Sequence, residues 1–113
     1  MHNVQAALGD YTANINAGVT AIAVAQFGTN GYGSIVGVCL CDVAVNVTVY
    51  QGKNASGDLD RKTVTPINAG TTEGDGGSFD IPIVGPYARI DITNPGGVNT
   101  ATLRFHAAMR RYA

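Results

Sequence analysis

Ser78-Phe-Asp-Ile-Pro-Ile-Val84, Tyr87-Ala-Arg-Ile-Asp-Ile-Thr93 and Thr102-Leu-Arg-Phe-His-Ala-Ala-Met109 follow one another in this chain, and each alternates with period two. Phe79, Ile81 and Ile83 share one side, as do Ala88, Ile90 and Ile92, and then Leu103, Phe105, Ala107 and Met109. Asp80, Arg89, Asp91, Arg104 and His106 take the other. Side chains of a strand leave on alternate faces, so the pattern predicts antiparallel sheet with one face in a core and one in water. A tight turn at Gly85-Pro86 would set Ile81 opposite Ile90 and Phe79 opposite Ile92. A connection over 94–101 would set Ile90 opposite Phe105 and Asp91 opposite Arg104. Both pairings match apolar with apolar, and a one-residue slip would break them. The first also sets Asp80 against Asp91, and Pro is a poor third residue of a turn. A crossing to a second sheet at Gly85-Pro86 is therefore the alternative there.

The 113 residues suit one domain, 1–113. A chain of this size buries roughly 65% of its unfolded surface, enough for a core without metal or disulfide staples. Charged residues make up 13% and the net charge is −1, so no field draws in nucleic acid or an acidic membrane. The basic concentration at Arg89, Arg104, Arg110 and Arg111 reads as a solvated face, partly balanced by Asp80 and Asp91. Residues 1–10 show neither a basic n-region nor an apolar h-region, and no run is long and apolar enough for a membrane helix. The expectation is a soluble protein made in the cytoplasm.

Cys39-Leu-Cys41 places two thiols on one face of a strand, awkward for a disulfide and without the histidines of a zinc site. They read as buried small apolar side chains. Residues 1–10 are either an extended arm or a first strand. Val19–Phe27 and Ser34–Cys41 flank Asn30-Gly31, a strong hairpin signal because both turn positions need positive φ. A helix over 17–27 is the weaker alternative, since Val, Thr and Ile form helices poorly. Paired as a hairpin, Ala21, Ala23 and Ala25 oppose Leu40, Val38 and Val36, while Ile22 and Val24 oppose Cys39 and Gly37. Neither face carries a charge, so an outer cover is expected: a terminal arm, another copy or another protein; the alternative is that exposed alanines are ordinary surface and need no partner. Asp42–Tyr50 is a strand with Val43, Val45, Val47 and Val49 inward. Residues 51–58 and 68–77 are loops, and 59–67 is a strand suited by Pro66 to an edge. Seven to eight short strands with Gly-rich turns predict an all-β antiparallel β-sandwich of the jelly-roll kind.

Chemistry is sparse. Asp58, Asp60, Glu73, Asp75 and Asp80 lack the spacing of a calcium loop. His2 and His106 have no third metal ligand in view. An Asp80/Asp91 glycosidase pair would be spoiled by Arg104, which would keep both carboxyls ionised. No nucleophile elbow, P-loop or dinucleotide fingerprint occurs. No enzyme, metal or cofactor is expected.

The run Phe79-Asp-Ile-Pro-Ile-Val-Gly-Pro-Tyr-Ala-Arg-Ile-Asp-Ile-Thr-Asn94, followed by Thr102-Leu-Arg-Phe-His106, resembles the closing strands of small β-sandwich virion proteins of tailed bacteriophages. The strand Val45-x-Val-x-Val-Tyr-Gln-Gly52 is similar to their middle strand; residues 51–58 depart by lacking a Ser-x-Asp-Gly-x-Thr-Trp loop. The resemblance implies a capsid decoration (cement) protein or a head or tail accessory protein, often trimeric, located in the virion. Its implied partners are itself and a major capsid protein. Contact residues expected on this reading are Met1, His2, Asn3, Val4, Leu8, Ala21, Ala23, Ala25, Arg110, Arg111 and Tyr112. A carbohydrate-binding module, with Tyr32 and Tyr50 as sugar platforms, is the competing expectation.

Overall fold

The computed structural model describes residues 3–53 and 59–112. Among these residues eight strands form: β1 Asn3–Tyr11, β2 Thr20–Gly28, β3 Ser34–Cys41, β4 Val45–Gly52, β5 Arg61–Ile67, β6 Gly77–Pro82, β7 Tyr87–Thr93 and β8 Leu103–Tyr112. They make two four-stranded antiparallel sheets, ordered β1-β8-β3-β6 and β2-β7-β4-β5. Pairing joins β1 to β8, β2 to β7, β3 to β6 and β4 to β5, as in a long ribbon folded back on itself. The rungs β3–β8 and β4–β7 then roll that ribbon into two layers. Of residues 1–10, the described ones form a strand, since β1 runs along the first sheet's edge from Asn3; Met1 and His2 lie outside the described residues.

In β4, β6, β7 and β8 the expected faces are the observed ones. Val45, Val47 and Val49 are buried, as are Ala88, Ile90, Ile92, Leu103, Phe105, Ala107 and Met109, and together they fill the space between the sheets. Cys39 and Cys41 point into the same core as free thiols. Burial pushes the Cys39 thiol up to about 12, with a smaller contribution from Cys41 beside it.

The expected neighbours are not the observed ones. The hairpins over 19–41, 78–93 and 87–109 do not form; in each case the two strands lie in opposite sheets. Among the described strands, β4 and β5 are consecutive in sequence and share a sheet; every other connection changes layer. The crossing at Gly85-Pro86 is the alternative that holds. Ile90 pairs with Val49, and Phe105 with Cys39 and Tyr11. Connections this short suffice because packed sheets stand about 10 Å apart, a span that three extended residues such as 42–44 cover at roughly 3.3–3.6 Å each.

Asn30-Gly31 does make its turn, with φ of 49° and 78° and Tyr32 N–H bonded to Thr29 O at 2.9 Å. The turn hands the chain from one sheet to the other instead of pairing its flanks. Thr29 anchors that corner: its hydroxyl donates to Gly85 O at 2.7 Å and its N–H to Pro86 O at 2.8 Å. Gln51, 1% exposed, holds the neighbouring crossing from both sides, donating to Pro82 O at 3.0 Å and accepting from Val84 N–H at 2.8 Å. At the other end, Ile15 plugs the core. Thr100 Oγ1 accepts from Ile15 N–H at 2.8 Å, and the fully buried Asn94 donates to Ile15 O at 3.1 Å and to Val98 O at 2.8 Å. A buried amide with its hydrogen bonds made is tolerated, and these side chains replace sheet pairing for backbone inside the loops.

Candidate functional site

The outward face of β1-β8-β3-β6 is a broad surface with an apolar middle and a charged margin. Registers set it out in rows: Gln5–Arg110–Ser34–Pro82, Ala7–Ala108–Val36–Asp80, then Asp10–His106–Val38–Ser78, with Arg104–Leu40 beyond. Its middle is apolar, and Val38 stands 56% exposed there. Three shallow depressions, of about 440, 360 and 370 Å³, meet at Val38. The charges lie around the middle, and each of the two carboxylates, Asp10 and Asp80, has a partner on another strand of the same sheet. Arg110 pairs with Asp80, and His106 Nδ1 lies 2.5 Å from Asp10 Oδ1. Exposed pairs of this sort contribute little stability, so their effect is to leave the face without net repulsion.

The outward face of β2-β7-β4-β5 is built differently. One row runs Ile22–Asp91–Thr48–Val64. Its ends are exposed apolar residues while Asp91 and Thr48 are 5% and 6% exposed. Arg89 makes two hydrogen bonds to Asp91, at 3.0 and 3.2 Å, and lies 4.6 Å from the centre of the Tyr50 ring. Charge-assisted forks and cation–π contacts both favour this flat packing of guanidinium, carboxylate and ring.

These placements alter the expected contact set. Ala21 and Ala23 are half-buried and packed against the core, and only Ala25 of the three is exposed. The reason is that β2 pairs with β7 rather than β3, and bulges between Ile22 and Val24 and between Val24 and Phe27 switch its facing. Val36, Val38 and Leu40, expected opposite those alanines, do face outward, but from the other sheet. Leu8 packs on the core at a bulge of β1, and Val4 is half-buried. Arg110 is paired with Asp80, and Arg111 is exposed with its guanidinium 5.0 Å from the Tyr32 ring centre. Asn3 and Tyr112 face each other at the end of the β1–β8 ladder; Met1 and His2 lie outside the described residues.

Asp80 and Asp91 are on the outward faces of opposite sheets, each with its own arginine, so no carboxylate pair exists there. Asp58 and His2 are outside the described residues. Among those described, no three His, Cys, Asp or Glu side chains come together. Asp75 serves a turn, accepting from Thr72 N–H at 3.3 Å. Both tyrosines expected as sugar platforms have an arginine against one face of the ring. Gln51 and Asn94, which hold the layer crossings, carried no sequence signal beyond the Pro95-Gly96-Gly97 turn after Asn94.

No protein-family model matches the chain, and no curated protein matches its sequence. Among solved structures, a protein of Bacillus endospore appendages, a novel family of disulfide-linked pili, aligns with 97% of this chain and 89% of its own, at 16% identity and a TM-score of 0.43.

Proposed function

We propose that this chain is a non-enzymatic structural protein of a tailed-phage virion, a decoration (cement) subunit that lies on the outer capsid lattice and braces it. The observation that carries the reading is the face around Val38, a broad apolar strand surface at whose rim Asp80 is paired with Arg110 and Asp10 is in contact with His106. A face like this adds to another protein by burying small side chains without stripping water from unpaired charge. The phage setting is supported by the resemblance carried by residues 45–52, 79–94 and 102–106. We read the rolled-ribbon strand order as a jelly roll, in keeping with that resemblance. Ala25, Arg111 and the edge strand β1 flank the sheets as further contacts in a homo-oligomer.

Co-sedimentation with empty tailed-phage capsids tests it. The protein is expected to pellet with capsids and to raise their disruption temperature, and Val38→Glu is expected to abolish both. A protein that stays in the supernatant over a panel of such capsids overturns the reading.

A further inference from the structure

We infer that β1 is a self-pairing edge: two copies of this chain join antiparallel along Asn3–Ala7, with the two-fold axis at Gln5. Edge strands carry a row of unpaired backbone donors and acceptors, and proteins guard the edges they keep free. Three of the four edges here are guarded. β5 opens with Arg61 and Lys62 and contains Pro66; β6 has six residues and ends at Pro82; β2 is broken by two bulges. β1 keeps an unbroken ladder with β8 from Asn3 to Ala7, free of charge, proline and glycine, before its bulge at Leu8.

The occupant follows from self-complementarity. Centring the pairing on Gln5, the middle of the unbroken run, sets Val4 against Ala6 of the second copy and Ala7 against its Asn3. Val4 and Ala6 are half-buried on the core side of the strand, so the pairing extends the apolar row across the junction. Gln5 meets Gln5 on the outward side, where two amides can bond to each other. The nearest cation in that row, Arg110, is already held by Asp80, so two copies meet without like charges in contact. Isologous two-fold pairing is the commonest way a chain closes on itself. It yields one eight-stranded sheet and doubles the face around Val38. This inference rests on the assembly reading above but not on the capsid: it would leave a two-fold pair, not the threefold that the resemblance implies.

Sedimentation equilibrium on the full chain tests it, with Gln5→Lys, Gln5→Glu and an equimolar mixture of the two. Gln5 is exposed, so both variants keep the fold. The wild type is expected to dimerise. Each variant alone should dimerise roughly two- to fivefold more weakly, because like charges face each other across the axis, and the mixture should recover or exceed wild-type affinity. Gln5→Cys should also oxidise to a covalent dimer where Lys62→Cys does not. A wild-type monomer at the highest soluble concentration, or an oligomer indifferent to the charge at Gln5, overturns the inference. Capsid co-sedimentation is read separately, so either proposal can fail alone.

Discussion

The Phe79 ring lies directly over Gly37, and the two strands that carry them pair at this position. A Cβ on Gly37 would come within 2.5 Å of His106 O, a backbone atom of β8, as well as into the ring. Phe79 is in turn stacked on Phe105 at 5.8 Å, so displacing its ring would disturb that stack, and the backbone oxygen of His106 is the harder obstacle. Gly37→Ala is therefore expected to destabilise by about 1–3 kcal/mol as overpacking, and Gly37→Val by more. Urea unfolding followed by far-UV circular dichroism measures it; an unchanged midpoint for Gly37→Ala would mean that the ring is not seated there.

Gly37 also marks where sequence reasoning stops. Strand existence and facing were legible, because a core admits apolar residues only and alternation reports which side they leave from. Partners were not legible, for the same reason. Ile90 is as well matched to Phe105, an expected partner, as to Val49 and Val24, its actual ones, since all of these inward positions are apolar. The paired-row test therefore could not discriminate among sheets. The awkward Asp80–Asp91 opposition was the one discordant row, and it was the accurate signal: those residues belong to different layers. Outward rows carry charge and size, so they distinguish partners where inward rows cannot. The candidate face was half legible for this reason. Val36, Val38 and Leu40 were correctly set on one side of their strand, while the alanines expected opposite them depended on a hairpin that does not form.

Gln51 should behave as a clasp between layers. Its amide makes two hydrogen bonds to the crossing after β6, and Gln51→Leu would leave Val84 N–H and Pro82 O without them. Pro82 and Val84 are exposed, so water can take over their backbone groups and each lost hydrogen bond costs its net contribution, about 0.5–1.5 kcal/mol. Gln51→Leu is expected to lose that order of stability. Hydrogen exchange at Val84 should accelerate more than exchange at Ile90 in the centre of the sheet. Uniform acceleration at both sites would point to global loosening and count against a clasp.

The two thiols give a chemical test of the core. The thiolate is the reactive form, and burial holds Cys39 protonated up to about 12. Native protein at pH 8 is expected to resist an aromatic disulfide reagent, and urea-unfolded protein to titrate two thiols. Reducing agent should leave the thermal midpoint unchanged, as both cysteines are free. A raised folded pKa contributes stability below the unfolded value and loses it as pH rises, so an alkaline decline is expected from about 9 towards 12. Cys39→Ala should flatten that decline, although it costs core packing at neutral pH.

Asp42 predicts the acid limb. It sits in the three-residue step between β3 and β4, where its carboxylate accepts from Ala101 N–H at 2.9 Å and Thr102 N–H at 3.0 Å. Those backbone donors, Thr102 foremost, hold its carboxyl below the ordinary 3.8. The sign follows from linkage: a carboxyl with a depressed folded pKa adds stability above its unfolded value and loses it as pH falls through the folded one. The thermal midpoint should therefore drop as pH falls below 3.8. Asp42→Asn keeps an oxygen acceptor for the same N–H groups but removes the charge. It should show a shallower acid decline and a modestly lower midpoint at pH 7. A variant whose acid decline is as steep as the wild type's would place the titrating group elsewhere and reduce Asp42 to a neutral bridge between two loops.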